Sequence, residues 1–323
     1  MALRVLLVKL SSMGDVIHNL PVVEDIRLAH PDAEIDWVVE EPYAPLVRLH
    51  PGVEQVIPVA LRRWREAPFS PRTRREFLAY RAVVRLRRYD AVIDTQALVK
   101  SAVIGMVARG TTHGWSGPAC REAFASWFYD VRHKGMRYDA LPAVQRYRDL
   151  VRQVLDTDTN MRPRYGLTPE PIRPEWAPRL KRMAVLNTAT ARPEKLWHED
   201  AWRSVAVTLA GHGYAVIFPW GTEPERQRAE RIRDNLPGTA CAPMPLPLIE
   251  WARILASANI VIGVDTGLTF LAAAVGTPVV GIYCATSPQQ VGIEASTPHL
   301  NLGGLGAPPQ VSQVIGTALT LSR

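Results

Sequence analysis

A strand, a turn and a helix follow one another in residues 258–275, which read ANIVIGVDTGLTFLAAAV. The apolar run Ile260–Val264 has the composition of a strand buried in a parallel sheet, and residues 268–275 favour a helix. A second apolar run, Val279–Tyr283, follows at once. This order predicts an open α/β unit whose turn lies at the carboxyl edge of the sheet, where such folds bind ligands.

The turn itself, Asp265-Thr266-Gly267, allows two interpretations. The first backbone N–H groups of a helix are unpaired and carry the positive end of its dipole, so they suit a phosphate. Alternatively, Asp265 or Thr266 only caps the helix. Spacing alone favours capping, so the choice depends on the rest of the chain.

Composition limits the class of protein. The chain has 323 residues, enough for two domains, and no apolar run is long enough to span a membrane. Residues 1–9 predict a first strand and not a signal peptide. The three cysteines, Cys120, Cys241 and Cys284, show no metal-binding spacing and predict no disulfide framework, which indicates the cytoplasm. A net charge of +7 predicts an acidic partner: nucleic acid, phosphorylated small molecules or an anionic membrane.

Asp15 is the first candidate functional residue. Residues 5–9 predict a strand, residues 10–15 a loop and residues 16–29 a helix, so Asp15 is expected at a helix N-terminus on the carboxyl edge of the first strand. The helix dipole there stabilises an ionised carboxylate. A helix cap and a catalytic base both fit this position.

The remainder of the first half repeats the strand and helix alternation. Strands are predicted at residues 35–39, 56–59 and 91–94, and helices at residues 74–88 and 100–108. This alternation predicts a parallel sheet wound on both faces.

Two basic segments interrupt the alternation. Arg62, Arg63 and Arg65 surround Trp64 just after a predicted strand, and arginine forks match phosphate and carboxylate oxygens. Residues 115–133 combine aromatic and basic side chains, which would suit a sugar or a nucleic acid. Either segment could also be an ordinary solvated surface.

Prolines cluster at residues 163–178, which predicts a linker because such a composition cannot form one helix or a central strand. The alternation then restarts, with strands predicted at 183–186 and 215–218 and helices at 199–210, 224–235, 247–258 and Val311–Leu321. The predicted domains are therefore 1–162 and 179–323, with a cleft between two similar α/β halves.

Three loops of the second half are expected at one sheet edge, because each follows a predicted strand. They supply Thr188, Thr190 and Lys195, then Glu225, and finally the Asp265 turn. Hydroxyls and a lysine suit phosphate oxygens, and a carboxylate suits a ribose or sugar hydroxyl. Together they predict a site for a nucleotide diphosphate.

Six motifs occur in an order that resembles a known family. They are VKLSSMGDVIH at 8–18, RRWR at 62–65, VIDTQALVKS at 92–101, EKLW at 194–197, PWG at 219–221 and VDTGL at 264–268. The set resembles the lipopolysaccharide heptosyltransferase I family over essentially the whole chain. The related second type lacks the Ser-Ser-Met-Gly-Asp form and the Arg-Arg-Trp-Arg segment.

The resemblance implies an α/β fold of the GT-B glycosyltransferase type, with two Rossmann-like doubly wound domains facing a central cleft. It implies inverting transfer of L-glycero-D-manno-heptose from ADP-heptose to a Kdo residue of Kdo-lipid A. No metal or other cofactor and no nucleic acid is expected to take part. The expected protein is a monomer, cytoplasmic and peripheral on the inner membrane.

The resemblance also implies roles for individual residues. Asp15 would be the general base. The implied donor-binding residues are Thr188, Thr190, Lys195, Glu225, Asp265, Thr266 and Gly267. The implied acceptor-binding residues are Ser12, Arg62, Arg63, Arg65, Gln96, Lys100 and Arg121.

The chain departs from the family pattern at three positions. Phe270 replaces a histidine, Ala97 a glycine, and Ala191 a threonine of the phosphate loop. Because Phe270 cannot hydrogen-bond a pyrophosphate, that contact is expected from Thr266, backbone N–H groups and Lys195. The substitution also leaves a non-catalytic nucleotide-sugar-binding protein as an alternative function. A second alternative is a related heptosyltransferase with a different core acceptor.

Two further classes are disfavoured. A nucleic-acid binder would need a recognisable binding module among its arginines. A dinucleotide-dependent dehydrogenase would need a G-x-G-x-x-G after the first strand, and that motif does not follow it.

Overall fold

The fold was analysed in a computed structural model that describes residues 2–158 and 160–322. Met1, which the sequence analysis places in the first domain, lies outside the described residues, as do Thr159 and Arg323. The chain divides into two compact units, Met1–Gly166 and Leu167–Arg323. The division falls inside the proline-rich segment at residues 163–178, in which the structure places no helix or strand.

The first unit is built on a six-stranded parallel sheet. Its strand order is β3-β2-β1-β4-β5-β6, the order of a dinucleotide-binding α/β fold. The strands are β1 (Arg4–Val8), β2 (Glu34–Glu40), β3 (Gln55–Val59), β4 (Arg88–Asp94), β5 (Arg109–Trp115) and β6 (Val131–His133). Its helices are α1 (Met13–His18), α2 (Leu20–Ala29), α3 (Ala44–Val47), α4 (Leu61–Glu66), α5 (Pro71–Val84), α6 (Val99–Gly105) and α7 (Ala143–Leu155).

The second unit repeats this topology. Its order is β12-β11-β10-β7-β8-β9, and every strand pair in it is parallel. The strands are β7 (Arg182–Asn187), β8 (Tyr214–Phe218), β9 (Thr239–Cys241), β10 (Ile260–Val264), β11 (Val279–Tyr283) and β12 (His299–Gly303). Its helices are α8 (Glu199–Gly211), α9 (Glu223–Arg233), α10 (Leu248–Ala256), α11 (Gly267–Ala274), α12 (Pro288–Val291) and α13 (Val311–Leu321).

The predicted α/β class, with two doubly wound parallel sheets, is confirmed. In each sheet the order in which successive strands are added reverses between the first and fourth strands. These strands are neighbours, β1 beside β4 and β7 beside β10. Ligands of open α/β folds bind at such a switch point, beyond the carboxyl ends of the strands. The loops after these four strands are therefore where each unit is expected to do its chemistry.

The burial of apolar side chains explains why β1 and β10 lie at the centre of their sheets. The central strands β1 and β10 are almost entirely buried, since helices cover both faces of a parallel sheet. In the second unit, Ile260, Ile262 and Val264 pack in one core with Trp202 and Phe218. Among the described residues, no helix is both long enough and apolar enough to cross a bilayer.

Several predicted elements were wrong in their bounds. The single helix predicted at 16–29 is two helices, α1 and α2, which meet at Asn19. The helix is interrupted there because Pro21 has no N–H to continue the pattern of helical hydrogen bonds. The helix predicted at 74–88 is α5, which ends at Val84 so that Arg88 can begin β4. The basic run after β3 is the short helix α4, in which Trp64 is buried between the arginines.

Candidate active site

Asp15 lies in the first turn of α1, at the carboxyl edge of β1. Its Oδ2 accepts hydrogen bonds from the Ser12 backbone N–H (3.1 Å) and the Ser12 hydroxyl (3.0 Å). Its Oδ1 accepts one from the Tyr147 hydroxyl at 2.7 Å. The side chain is half-buried, so the carboxylate is fixed in orientation yet still reachable. Ser12, predicted to bind the acceptor, thus acts first as a partner of Asp15.

Two further residues complete this cluster. Lys9, at the end of β1, is buried, with its Nζ 3.6 Å from the centre of the Tyr147 ring and 3.3 Å from the Thr95 carbonyl oxygen. Arg146 lies with its guanidinium carbon 3.9 Å from the centre of the Tyr138 ring and donates to the carbonyl oxygens of Tyr138 and Leu141. The cluster therefore sets one carboxylate among two cations and a phenol.

The electrostatics of the cluster keep Asp15 ionised. Burial alone would raise the pKa of Asp15, but the Lys9 ammonium and the hydrogen bonds from Tyr147 and Ser12 lower it well below the usual range. Burial lowers the pKa of Lys9 to about 7, although the Asp15 charge opposes that shift. Loss of the Lys9 proton near neutral pH would in turn make Asp15 a stronger base.

The Lys9 shift predicts a pH-dependent stability. The folded chain gives up the Lys9 proton near pH 7, whereas the unfolded chain keeps it to about pH 10.5. The unfolded state then binds more protons between these values, so stability rises with pH in that window. We expect Lys9→Met to reduce the gain in unfolding free energy between pH 7 and pH 9, measured by urea denaturation. Exposed Lys134→Met is the control, and equal gains in wild type and Lys9→Met would contradict the assignment.

Gln96 holds the loop after β1 against the loop after β4. Its Oε1 accepts hydrogen bonds from the backbone N–H groups of Leu10 (2.6 Å) and Ser11 (3.3 Å). The predicted acceptor residue Gln96 is therefore brought next to the Asp15 loop, although its side-chain oxygen is already occupied. Buried Asp94 shapes this second loop by accepting from the backbone N–H groups of Gln96 and Ala97.

Ala97 has a φ of 56°, in the left-handed region that glycine adopts without strain. The family pattern described above has glycine at this position. The conformation explains that preference, and the chain adopts it with alanine. Asp94 accepts four hydrogen bonds that hold the turn, since the Ser101 (2.7 Å) and Tyr129 (2.8 Å) hydroxyls also donate to its carboxylate.

The predicted acceptor arginines fall into two groups. Arg63 is engaged in the fold, donating to Glu41 (3.0 and 3.1 Å) and to Glu76 (3.0 and 3.2 Å). Arg62 and Arg65 are exposed, and among the described residues neither forms a salt bridge. Arg62 and Arg65 are thus better placed than Arg63 to meet an acidic ligand.

The other two predicted acceptor cations lie by the loops after β4 and β5. Lys100 is in the first turn of α6 and is half-buried. Arg121 is exposed and follows β5. The Glu122 N–H donates to the Ala97 carbonyl oxygen (3.1 Å), and the Glu122 carboxylate accepts from the Val99 N–H (2.8 Å). These two bonds bring the loop that carries Arg121 against the loop that carries Gln96.

In the second unit the structure brings two of the predicted donor residues, Lys195 and Asp265, into contact at the edge of β7 and β10. Lys195 donates to Asp265 at 2.6 Å, and the Thr286 hydroxyl donates to the same oxygen at 2.8 Å. Thr266 is the N-cap of α11 but makes no side-chain capping hydrogen bond. Capping by the side chain, the alternative left open for this turn, is therefore not observed.

The remaining donor candidates differ in exposure. Thr188 is fully buried and its Oγ1 has no hydrogen-bond partner among the described residues, whereas Thr190 is half-buried. Gly267 is the first residue of α11. Glu225 caps its own helix, with Oε2 accepting from the backbone N–H groups of Gly221 (2.8 Å) and Thr222 (3.0 Å). The structure thus gives Glu225 a local capping contact, while a sugar contact stays a prediction.

No group of three or more His, Cys, Asp or Glu side chains in residues 2–158 and 160–322 could hold a metal ion. The Lys195 ammonium and the first amide groups of α11 are groups at this edge that could meet the charge of a diphosphate, while a metal-free reaction stays a prediction.

Sequence reasoning missed three residues of the first cluster: Lys9, Arg146 and Tyr147. Helix α7 was not predicted, although Val144, Tyr147, Leu150 and Val151 have helical spacing on one face. Lys9 appeared only as the last residue of a strand. Its burial could have been suspected, because it follows four apolar residues of a central strand.

Residues 78–313 match glycosyltransferase family 9 (heptosyltransferase). Lipopolysaccharide heptosyltransferase 1 of Salmonella typhimurium is 38% identical over 313 residues, which cover 94% of this chain and 98% of that protein. The solved structure of E. coli heptosyltransferase WaaC with ADP has a TM-score of 0.85 and 36% identity, covering 98% of both chains. The structure of that enzyme with ADP-2-deoxy-2-fluoro heptose has a TM-score of 0.82 and 37% identity, again covering 98% of both chains.

Proposed function

The chain belongs to glycosyltransferase family 9, the heptosyltransferases, and from this membership we propose that it transfers L-glycero-D-manno-heptose from ADP-heptose to a Kdo residue of Kdo-lipid A. The observation that carries the catalytic part is the ionised carboxylate of Asp15, fixed by Tyr147 and Ser12 at the switch point of the first sheet. An acceptor hydroxyl needs such a base, and the half-buried side chain of Asp15 is still reachable.

The proposed reaction inverts the anomeric centre in one step. Asp15 takes the proton from the Kdo hydroxyl while that oxygen attacks the anomeric carbon from the face opposite ADP. The sugar becomes oxocarbenium-like as the bond to the diphosphate breaks. ADP leaves with the bonding electrons, and Asp15 later releases its proton to water.

We assign donor binding to the second unit. A dinegative diphosphate arriving at the edge of β7 and β10 would meet the Lys195 ammonium, the Thr188 and Thr190 loop and the first amides of α11. Asp265 orients Lys195 before the donor binds. Phe270 is buried, so it contributes shape and not a hydrogen bond to the phosphates.

Incubation with ADP-heptose and Kdo-lipid A tests the proposal. We expect release of ADP together with a mass gain of one heptose on the acceptor. Donor binding without turnover would instead indicate a non-catalytic nucleotide-sugar-binding protein. Transfer only to a longer or differently substituted core would indicate a heptosyltransferase with another acceptor.

Lys195→Met is expected to raise KM for ADP-heptose about 10- to 100-fold, because it removes a charge-assisted hydrogen bond of about 1.5–3 kcal/mol. Initial rates at saturating acceptor measure the effect. Lys181→Met is the matched control, since Lys181 is an exposed lysine of the same unit. A larger change in acceptor KM than in donor KM would contradict the assignment of this unit to the donor.

The double change Arg62→Gln and Arg65→Gln is expected to raise KM for the acidic acceptor and to flatten its dependence on ionic strength, because exposed charges act through a screened field. Donor KM should not change. Arg74→Gln with Arg75→Gln, a pair of exposed arginines on the neighbouring helix α5, is the control. Equal effects of the two double variants would show a general charge effect and no acceptor site at α4.

The proposed acceptor is a lipid, and this places the reaction at a membrane surface. We propose that the chain works as a peripheral protein on the cytoplasmic face of the inner membrane, as a monomer and without nucleic acid. The net charge of +7 favours association with anionic lipid.

A further inference from the structure

An exposed apolar surface lies on the first unit beside the predicted acceptor loop. It consists of Val103, Met106, Phe124 and Trp127, here called the aromatic surface. Phe124 is 63% exposed and Trp127 70% exposed, and their ring centres are 5.1 Å apart at an interplanar angle of 87°. Single exposed apolar side chains are normal in folded proteins, whereas several grouped together are typical of an interaction site.

The fold holds these side chains outward. Phe124 and Trp127 belong to a short 3₁₀ segment, Ala123–Phe128, whose intervening residues Ala125 and Ser126 are buried against the unit. The segment packs on α6, which contributes Val103, and Met106 is the residue that follows this helix. Burial of the inner residues therefore fixes the outward direction of the two rings.

Exposed cations precede and follow the 3₁₀ segment in the chain, and they are here called the flanking cations. Arg121 precedes the 3₁₀ segment, and Arg132 and Lys134 lie at the end of β6, where the His133 carbonyl oxygen accepts from the Ser116 N–H. None of these three cations forms a salt bridge within the described part of the chain. The nearby carboxylates are used internally, since Glu122 accepts from the Val99 N–H and Asp130 from Thr112.

From this arrangement we infer that the aromatic surface and its flanking cations bind an anionic phospholipid bilayer. Tryptophan and phenylalanine bury their rings at the level of the lipid headgroups, and arginine and lysine beside them are attracted to anionic lipid. The inference rests on the proposed function for its biological setting. An acceptor whose acyl chains stay in a bilayer can present its sugar only to a site close to that bilayer, and the Glu122 bonds put this surface directly beside the Gln96 loop.

Co-sedimentation of the full chain with vesicles tests the inference. Vesicles of phosphatidylglycerol and phosphatidylethanolamine provide an anionic surface, and phosphatidylcholine vesicles a neutral one. We expect Phe124→Ser with Trp127→Ser to weaken binding to the anionic vesicles at least about tenfold, since two rings lose their burial in the interface. Met244→Ser with Leu305→Ser, two exposed apolar residues of the second unit, is the matched control and should bind like wild type.

A charge variant separates the two parts of the surface. Arg132→Glu with Lys134→Glu should abolish the preference for anionic over neutral vesicles and leave thermal unfolding unchanged, because both side chains are exposed. Wild-type binding that is absent, or equal in the aromatic variant and its control, would overturn the inference. A change of oligomeric state in the aromatic variant with intact vesicle binding would overturn it as well, and would assign the surface to a second copy of the chain.

The experiment can refute the membrane-binding inference and the proposed catalytic function independently of each other. With a deacylated, water-soluble Kdo acceptor, the aromatic variant should release ADP at the wild-type rate, whereas with Kdo-lipid A in vesicles its rate should fall. Vesicle binding without any transfer to either acceptor would refute the proposed function and leave the membrane surface standing. Transfer to both acceptors at wild-type rates by the aromatic variant would refute the membrane surface alone.

Discussion

Asp15→Asn is expected to lower kcat about 100- to 10,000-fold, the usual contribution of a general base. Asparagine keeps the shape of the side chain and can still accept the Tyr147 hydrogen bond, so the loss is one of chemistry. Donor binding should survive, because Lys195 and its neighbours belong to the other unit. Steady-state kinetics and equilibrium titration with ADP-heptose separate the two effects.

The control for this change is Asp32→Asn, an exposed aspartate of the same unit that is remote from the cluster in sequence. Near-normal turnover of Asp15→Asn would remove Asp15 from the mechanism. A loss of donor affinity as large as the loss of kcat would show that the change acts on folding or binding and not on proton transfer.

Arg148→Met is expected to destabilise the protein by about 3–5 kcal/mol, since it leaves a buried carboxylate without its partner. The Arg148 guanidinium donates to Asp25 at 2.6 and 2.8 Å, and both side chains are only 6% exposed. Burial raises the pKa of Asp25, and the hydrogen bonds and charge of Arg148 only partly oppose this shift. The ion pair therefore does not fully offset the free energy of removing the Asp25 charge from water.

This reasoning predicts the outcome of a double change. Asp25→Leu with Arg148→Met removes both charges and should restore most of the lost stability in urea denaturation. Arg152→Met breaks an exposed pair with Asp149 on the same helix and should cost at most about 1 kcal/mol. A double variant as unstable as Arg148→Met would show that packing, and not an unpaired charge, sets the cost.

The pair also matters for the site. It joins α2 to α7, and the residue before Arg148 is Tyr147, which donates to Asp15. We therefore expect the activity of Arg148→Met to fall even under conditions where the variant is folded.

The sequence predicts the central strands and the terminal helix well, and for a physical reason. Ile260–Val264, Val279–Tyr283 and Val311–Leu321 have the predicted bounds because long apolar runs and helical periodicity are local properties. Strand β5 and the edge strands β6, β9 and β12 were missed, since exposed or half-buried positions interrupt each of them and leave no continuous apolar run in the sequence. Helix α7 was missed because Arg146 and Arg148 have, in the sequence, the character of an exposed polar face. They are buried only because Arg146 donates to a backbone carbonyl oxygen and Arg148 to Asp25.

The same division holds for the site. Asp15 and the three loops of the second unit were predicted because each follows a recognisable strand. The contacts of Tyr147 with Asp15 and with Lys9 could not be predicted, because they join residues at least 132 positions apart in the chain. Glu225 shows the converse, since its observed contact is the local capping bond that a helix start favours.

The bond between Lys195 and Asp265 has a consequence for turnover. The Lys195 ammonium already has the Asp265 carboxylate beside it. If Lys195 binds the donor as we propose, a diphosphate would compete with that carboxylate for the ammonium. On release of the nucleotide, Asp265 would again pair with Lys195, so product release would not leave an unpaired buried cation. An enzyme arranged in this way would bind its substrate less tightly and would be less subject to inhibition by its product.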